Sequence, residues 1–357
     1  MLCKLVTIVS ALAASTAFAM PLVVPSASTS DSEYEIEAAI TKRDTLTPVM
    51  NGQNFPDPAV IKVGNSWYGF ATNGKVNGKL IHVQMAHTSD FKNWIYDSGV
   101  DALPNLPSWV DPDKPRVWAP DVVQLDNGNF VMYYTAATAA NKGLHCVGRA
   151  TSTTVQGPYT PVPGESEKGW ICDISKGGAI DPAGYKGPQG KRWVTYKVDG
   201  NAIGYGGTCG NQPTSGPNAG KVIPTPIMLQ QVDADGIHLI GSPKQLITND
   251  QNDGPVTEAP SLSQMHDGTF VLFFSSNCYS TPLYDVSYAT SKNIEGPYNK
   301  YGPLLVTGNH GLTAPGGLDL AVNGNHAVFH ANYGSGRAMF TALISGKGNS
   351  WTANVHF

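Results

Sequence analysis

One short pattern recurs five times along the chain and constrains its fold more than any other feature. A turn that contains glycine is followed each time by a run of aromatic and β-branched residues. The leading glycines of the five runs are Gly64, Gly128, Gly190, Gly268 and Gly324. Each run also follows a short apolar segment, such as 59–63, so each pair of segments predicts a β-hairpin.

The spacing of these glycines, about 60 residues, has room for four strands and their loops. Five four-stranded sheets arranged around an axis form a β-propeller, which leaves only short, protected sheet edges. We therefore predict an all-β fold: a five-bladed β-propeller with four-stranded antiparallel blades around a central axis. A non-repetitive β-sandwich with chance hairpins is the alternative, and five recurrences at similar offsets disfavour it.

Composition excludes other fold classes and several kinds of partner. Charged residues make up 14% of the chain, and glycine and proline number 39 and 26. Helical bundles, coiled coils and charge-rich disordered chains need more charge and fewer helix breakers. The formal net charge is −4, and no Lys/Arg cluster exceeds two residues. We therefore expect no nucleic-acid or membrane partner, a neutral or small partner, and a monomer.

The N-terminal segment is typical of a secretory signal. Lys4 precedes a short apolar stretch, and Ala17-Phe18-Ala19 has the small-x-small pattern of a cleavage site. The apolar stretch is too short to span a bilayer. We expect a secreted, extracellular protein with a signal peptide at 1–19, a pro-segment or flexible tail at 20–43 that ends in a dibasic pair, and the propeller at 44–357.

Four cysteines follow the predicted signal: Cys146, Cys172, Cys209 and Cys278. An even number in a secreted chain predicts two disulfides. Three pairings are possible, and sequence order favours Cys146 with Cys172 and Cys209 with Cys278. A zinc site is disfavoured because the sequence has no Cys-x-x-Cys pair.

Acidic residues recur where the first strand of a unit begins. Asp57-Pro58, Asp181-Pro182 and Glu258-Ala259-Pro260 each precede a hairpin, and Pro120-Asp121 holds the corresponding place in the second unit. The first strand of every propeller blade lines the axis, so we expect Asp57, Asp181 and Glu258 to meet at one mouth of the channel. For any one acid, the alternative is that Asp-Pro or Glu-x-Pro simply marks a turn or the start of a strand. This alternative does not account for three acids at the same place in three units.

Converging carboxyl groups suit hydrolysis of a glycosidic bond. That reaction needs one protonated acid to release the leaving oxygen and one ionised carboxylate to activate water. A third negative charge nearby raises the pKa of the acid, since like charges disfavour ionisation. Three acids in one cavity therefore predict a glycosidase.

Four segments resemble signature segments of glycoside hydrolase family 43. They are 54–60, 117–122, 179–183 and 257–262, and the resemblance runs from Asn54 to Phe340. It implies a five-bladed propeller that acts on arabinan, arabinoxylan or xylan and inverts the anomeric centre. In this resemblance Asp57 is the general base, Glu258 the general acid and Asp181 the residue that orients Glu258 and tunes its pKa. Base and acid are then expected about 6.5–9.5 Å apart.

Further residues are candidates for binding the substrate. Trp118 and Phe55 flank the acids and are candidates for an apolar wall against a pentose ring; core packing is the alternative. Asp121 is expected to support the site, and a purely structural role is favoured. Arg337 matches an arginine that contacts substrate in several family members; a solvated loop arginine is the alternative.

The fifth unit departs from the family pattern. Many members have a Gly-His pair whose histidine faces an axial metal ion, and the matching stretch here is Pro315-Gly316-Gly317. Gly317 has no side chain to bind a metal. His310, seven residues earlier, is a candidate for the same space, and a surface-loop position is favoured for it. We therefore assign no metal ligand and expect no cofactor.

The predicted function is hydrolysis of pentose linkages in arabinose- or xylose-containing plant cell-wall polysaccharide. We favour an α-L-arabinofuranosidase over an endo-1,5-α-L-arabinanase or a β-xylosidase; a closed pocket would indicate exo action and an open groove endo action. A non-catalytic carbohydrate-binding propeller is the alternative from another class, and the three intact acids argue against it. A fructan hydrolase is disfavoured, because Asn-Asp-Pro-Asn and Arg-Asp-Pro do not stand at the matching places.

Overall fold

The computed structural model describes residues 46–164, 168–322 and 324–356. This part of the chain forms five four-stranded antiparallel sheets with short 3₁₀ segments between them. The predicted five-bladed β-propeller is confirmed. The predicted signal peptide and pro-segment lie outside the described residues. Among the residues that are described, no helix is long and apolar enough to cross a membrane.

Each blade is a meander whose strands follow one another in the sequence from the axis outward, with small ribbons inserted in blades 1 and 3. The strands are Ala59–Val63, Ser66–Ala71, Gln84–Thr88 and Ile95–Tyr96 in blade 1; Trp118–Gln124, Phe130–Ala137, His145–Ser152 and Thr160–Pro161 in blade 2; Ala179–Lys186, Arg192–Val198, Ile227–Val232 and Leu239–Ile247 in blade 3; Thr257–Gln264, Phe270–Ser276, Asp285–Ser291 and Asn299–Leu305 in blade 4; and Gly316–Leu320, His326–Tyr333, Gly336–Lys347 and Ser350–His356 in blade 5.

The elements outside the blades are short. The ribbons are Gly74–Val76 with Lys79–Ile81 and Gly206–Gly207 with Asn211–Gln212. The 3₁₀ segments are Val49–Gly52, Ile174–Lys176, Gly200–Ile203, Thr208–Gly210 and Asn309–Gly311.

The ring closes through contacts between the first and last blades. The inner strand of each blade contacts the inner strands of its two neighbours, and that of blade 1 lies between those of blades 2 and 5. Asn54 forms an isolated antiparallel bridge with Ala338 of blade 5, and the Phe55 amide donates to the Arg337 carbonyl at 2.8 Å. The segment that enters blade 1 is therefore anchored on blade 5.

The hydrophobic core lies between neighbouring blades. The second strands Phe130–Ala137 and Arg192–Val198 are buried along their whole length, because each blade is covered by a neighbour on both faces. Between blades 4 and 5, Phe273 packs in one cluster with Phe329 and Phe340. Burial on both faces explains why Phe130–Ala137 is a nearly continuous apolar and aromatic run instead of an alternating one.

A left-handed residue stands at the same place at the start of all five inner strands. These residues are Asp57, Ala119, Asp181, Ala259 and Gly317, and their φ angles lie between 39° and 57°. In blades 2 to 5 the place coincides with a register shift between the first and second strands. Left-handed backbone costs a residue with a Cβ about 1–3 kcal/mol, and such strain is typical of functional sites.

This shared place corrects the alignment of the second unit. Ala119, and not Asp121, is the counterpart of Asp57 and Asp181. Asp121 stands two residues further along its strand, at the place that Asp319 holds in blade 5. The sequence analysis took the acid that follows Pro120, whereas the left-handed residue precedes the proline in blades 1 to 4, so the wrong residue of blade 2 was assigned to the mouth of the channel.

Asp121 and Asp319 link neighbouring blades along the channel. Asp121 Oδ2 accepts a hydrogen bond from the Gly184 amide at 2.6 Å. Asp319 accepts from the Val60 amide at 2.8 Å and from the Ser261 hydroxyl at 2.8 Å, so it joins blade 5 to both blades beside it. Burial and then the charge of Asp319 raise the pKa of Asp121 to about 8, and burial also raises the pKa of Asp319.

Two disulfides join Cys146 to Cys172 and Cys209 to Cys278, with Cα–Cα distances of 5.0 and 5.6 Å. Both pairings that sequence order favours are confirmed. The second disulfide connects the long loop of blade 3 to the loop after the second strand of blade 4, and Cys209 faces the axial cavity described below.

We expect Asp319→Ala to lower the free energy of unfolding by about 1–3 kcal/mol, because it leaves the buried Val60 amide without its acceptor. Asp319→Asn is the matched control, since its side-chain oxygen can accept from Val60 and its amide group can donate to Ser261. Guanidinium unfolding of both variants measures the difference. Equal stability of the two variants would show that this link between blades contributes nothing.

Candidate active site

A cavity of about 430 Å³ opens at the axis, at the end of the channel where the inner strands begin. Every blade or the segment leading into it contributes to its wall, and the contributions include Asp57, Trp118, Asp181, Glu258 and Arg337. The three acids that stand far apart in the sequence are brought together here. The left-handed bulges place them, since Asp57 and Asp181 occupy the strained position and Glu258 directly precedes it.

Asp57 is held by three residues. Arg337 Nη1 donates to its Oδ1 at 2.8 Å, and the Thr72 hydroxyl donates to its Oδ2 at 2.6 Å. Its backbone amide donates to Nδ1 of His330 at 3.0 Å. Burial raises the pKa of Asp57, but the Arg337 charge and the Thr72 hydrogen bond outweigh burial and hold the pKa below its usual value. Asp57 is therefore ionised, as a general base must be.

His330 is fully buried behind Asp57. Burial and then the Arg337 charge lower the pKa of His330 to about 3, so the ring is neutral. Because Nδ1 accepts the Asp57 amide proton, the single ring proton lies on Nε2. The ring of Tyr284 stacks on His330 with centroids 6.0 Å apart, which fixes the imidazole plane.

Glu258 receives a hydrogen bond on each carboxyl oxygen. The Tyr284 hydroxyl donates to Oε1 at 2.8 Å, and Lys197 Nζ donates to Oε2 at 3.0 Å. Burial and then the Glu258 charge raise the pKa of Tyr284 well above its usual value, so this hydroxyl keeps its proton and stays a donor. The carboxyl group is 13% exposed, and that exposed part faces the cavity.

Asp181 contacts the backbone beside Glu258. Its Oδ2 accepts a hydrogen bond from the Ala259 amide at 2.9 Å, and its own amide donates to the Thr135 hydroxyl at 3.0 Å. Burial and then the charge of Glu258 raise the pKa of Asp181 to about 8. Through its hydrogen bond with the Ala259 amide, Asp181 steadies the peptide that carries Glu258.

The two aromatic candidates have different surroundings. Trp118 lines the cavity and stacks on His145, with ring centroids 3.9 Å apart and an interplanar angle of 24°. Phe55 is fully buried and packs edge-on against Tyr96 in the core between blades 1 and 5. Trp118 can therefore contact a ligand in this cavity, whereas Phe55 supports the segment that carries Asp57.

The remaining predicted residues divide in the same way. Arg337 lies in the cavity, in contact with Asp57. Asp121 lines the channel beneath the cavity and not the cavity itself. His310 is exposed in the segment Asn309–Gly311, outside the lining of the axial cavity. Of the five residues predicted to bind substrate, the cavity therefore contains Trp118 and Arg337.

Sequence reasoning missed four residues that hold the acids: Thr72, Lys197, Tyr284 and His330. Lys197 had a detectable signal, because it is the charged residue of the run 193–198, where a buried charge needs a partner. His330 stands four residues after His326 in the fifth run, and the sequence does not distinguish such a residue from one that packs in the core or lies at the rim of a pocket. Nothing local in the sequence marks Thr72 or Tyr284.

The ring of His330 occupies the space beside Gly317, where the family pattern has a histidine. A Cβ on Gly317 would lie 2.9 Å from the His330 ring, so that ring fills the space beside the glycine. His330 Nδ1 is already engaged by the Asp57 amide. Across the described ranges, no group of three or more His, Cys, Asp or Glu side chains is arranged to hold a metal ion.

A second cavity, of about 540 Å³, adjoins the first. Tyr279 and Arg337 line both cavities, and the guanidinium carbon of Arg337 lies 5.5 Å from the centroid of the Tyr279 ring. The second cavity extends over blades 5 and 1 and carries the amide side chains of Asn54, Asn73 and Asn332. The two cavities meet at Tyr279 and Arg337, and we refer to them together as the groove.

A glycosidase needs carboxyl groups in opposed electrostatic environments, so that one acts as an acid and another as a base. The mouth of this five-bladed propeller contains such carboxyl groups. Residues 45–343 match the family described as "Glycosyl hydrolases family 43". The chain belongs to this family, and it is an inverting glycoside hydrolase.

Two curated relatives are each 27% identical in sequence to the chain over the aligned residues. One is an "Extracellular endo-alpha-(1->5)-L-arabinanase" of Thermotoga petrophila, aligned over 350 residues that cover 84% of this chain and 67% of the relative. The other is an "Extracellular endo-alpha-(1->5)-L-arabinanase 1" of Bacillus subtilis, aligned over 294 residues that cover 77% and 79%.

Solved structures share the fold. A thermostable family-43 glycoside hydrolase superposes with a TM-score of 0.64 at 19% identity, covering 84% of this chain and 92% of that one. The native arabinanase Arb43A of Bacillus subtilis superposes with a TM-score of 0.58 at 24% identity, covering 82% and 95%. At these sequence identities the structural similarity shows that the proteins share the propeller fold, and nothing beyond the fold.

We expect Arg337→Met to move the acidic limb of the pH profile of kcat/KM to higher pH by about one unit. Without the guanidinium, burial raises the pKa of Asp57, so the base becomes protonated at a higher pH. Lys79→Met, which removes an exposed cation from the ribbon of blade 1, is the control and leaves the limb in place. An unmoved acidic limb in Arg337→Met would contradict the electrostatic role of Arg337.

Proposed function

We propose that the protein is a secreted, monomeric endo-1,5-α-L-arabinanase that hydrolyses arabinan by an inverting acid/base mechanism. The groove formed by the two adjoining cavities carries this proposal, because a chain can pass through a groove on both sides of Asp57 and Glu258. The names of the curated relatives support the same linkage and an extracellular location. The groove favours this endo-acting alternative over the α-L-arabinofuranosidase that sequence analysis preferred.

Asp57 is the proposed general base. It accepts a proton from a water molecule whose oxygen attacks the anomeric carbon from one side of the sugar ring. The Arg337 charge and the Thr72 hydroxyl keep Asp57 ionised for this step, and the contact of His330 with its amide holds the backbone in its strained conformation.

Glu258 is the proposed general acid. It gives a proton to the glycosidic oxygen as the bond to the anomeric carbon breaks, so a neutral alcohol leaves and the configuration inverts. Asp181 supports Glu258 through the Ala259 amide. Trp118 offers its ring face as an apolar wall for a pentose.

We expect Glu258→Gln to lower kcat/KM on α-1,5-arabino-oligosaccharides by roughly 10²–10⁴, the range for loss of general-acid catalysis. An aryl arabinofuranoside with a good leaving group needs little protonation and is expected to lose much less. Glu295→Gln is the control, since Glu295 is half exposed and pairs with Lys244 on the surface. Full activity of Glu258→Gln on the oligosaccharide would remove Glu258 from the mechanism.

Product lengths from debranched arabinan distinguish endo from exo action. If the groove accepts internal segments, mixed oligosaccharides appear first and viscosity falls early in the reaction. Release of arabinose alone from chain ends would contradict endo action. Hydrolysis of nitrophenyl xyloside but not of arabinan would contradict the arabinan assignment as well.

A further inference from the structure

A buried lysine beside Glu258 belongs to neither the family signature segments nor the predicted site. Lys197 lies in the second strand of blade 3, and its side chain is 1% exposed. Its ammonium nitrogen is 3.0 Å from Glu258 Oε2 and 3.2 Å from Asp199 Oδ1. Burying an ammonium group costs free energy unless the group is paired with a negative charge. We therefore expect a lysine at this position to have a role that offsets this cost.

The lysine completes a clamp on Glu258. Tyr284 from blade 4 donates to one carboxyl oxygen, and Lys197 from blade 3 donates to the other. Two donors from different blades fix both the position and the plane of the carboxyl group. Accepting a hydrogen bond on each oxygen, one of them from a cation, also favours the ionised form of a carboxyl group.

Asp181 lines the same cavity as Glu258. Burial and then the charge of Glu258 raise the pKa of Asp181 to about 8. The charged and titratable groups facing the pair are Lys197 and Asp199 from blade 3, Tyr284 from blade 4, Arg337 from blade 5, His145 from blade 2 and Asp57 from the entry to blade 1. Among these described groups, Lys197 is the cation that contacts Glu258 directly.

We propose that Lys197 is a positioning residue of the hydrolytic reaction, which orients the Glu258 carboxyl group and sets how tightly the Asp181–Glu258 pair holds its proton. The proposal rests on the assignment of Glu258 as general acid. In each turnover the pair gives one proton to the leaving oxygen, and Asp57 takes one from the attacking water. The proton count balances once Asp57 releases its proton to solvent and the pair takes one up.

The first test is Lys197→Met, which keeps the length of the side chain and removes its charge. Without the cation the pair holds its proton more tightly, so the alkaline limb of kcat/KM moves to higher pH by about one unit or more. The carboxyl group also loses one of its two anchors. We expect kcat on an arabino-oligosaccharide to fall about 10–100-fold, and the loss on an activated aryl arabinofuranoside to be smaller.

The second test is Asp199→Asn, which retains Lys197. This substitution is expected to shift the alkaline limb of kcat/KM in the opposite direction. The ammonium group of Lys197 contacts both Asp199 and Glu258. Removing the negative charge of Asp199 therefore leaves the whole charge of Lys197 to act on the Asp181–Glu258 pair. The pair then holds its proton less tightly, and the alkaline limb moves to lower pH. This variant keeps the buried lysine paired with Glu258, so it tests the proposal even where Lys197→Met does not fold.

Lys186→Met is the control, because Lys186 lies in the same blade and is paired with Asp126 near the surface. It is expected to leave both limbs and the substrate dependence unchanged. Equal losses of Lys197→Met on both substrates with an unmoved alkaline limb would show a merely structural role and overturn the proposal. So would shifts of the same sign in Lys197→Met and Asp199→Asn.

The comparison uses whichever pentoside the wild-type protein cleaves. A wild-type protein that cleaves a xyloside but not arabinan would refute the arabinanase assignment and leave the test of Lys197 intact. Loss of the leaving-group dependence in Glu258→Gln would instead remove the acid on which the Lys197 proposal rests.

Discussion

Closure of the ring is the constraint on which the rest of the structure depends. Each blade presents apolar surface on both faces, so a blade at an open end would leave one face in water. The chain meets this requirement by docking the segment before blade 1 onto blade 5, through the bridge of Asn54 with Ala338 and the hydrogen bond from the Phe55 amide to the Arg337 carbonyl. The same segment carries Asp57, so the contact that closes the ring also places the proposed base opposite Glu258.

The cavity holds two electrostatic environments side by side. Around Asp57, the guanidinium of Arg337 and the Thr72 hydroxyl favour the carboxylate. Around Asp181, burial and a neighbouring carboxylate favour the protonated acid. Separating the proton affinities of nearby carboxyl groups is what allows one site to supply an acid and a base at the same pH. The five-fold fold makes this separation possible, because each carboxyl group stands on a different blade with its own neighbours.

The sequence predicts the blades well, since hairpin signals are local and repeat five times. It also identifies Asp57, Asp181 and Glu258, because the bulge that places them is marked by a following proline or Ala-Pro. Asp121 was assigned to the wrong place because it is the acid next to Pro120, whereas the left-handed residue is the one before the proline. Lys197 and His330 were not assigned to the site, because the residues they contact stand on other blades; the charge of Lys197 within its strand was a local signal.

The Cys209–Cys278 disulfide lies where two blades supply loops to one wall of the groove, next to Tyr279. Loops of this kind are commonly the softest parts of a propeller, yet here a covalent bond fixes their separation. The disulfide therefore restrains the width of the groove from the time it forms, before a sugar binds. Ordering these loops then costs little entropy when a polysaccharide binds, which leaves more of the contact energy to hold the chain in place.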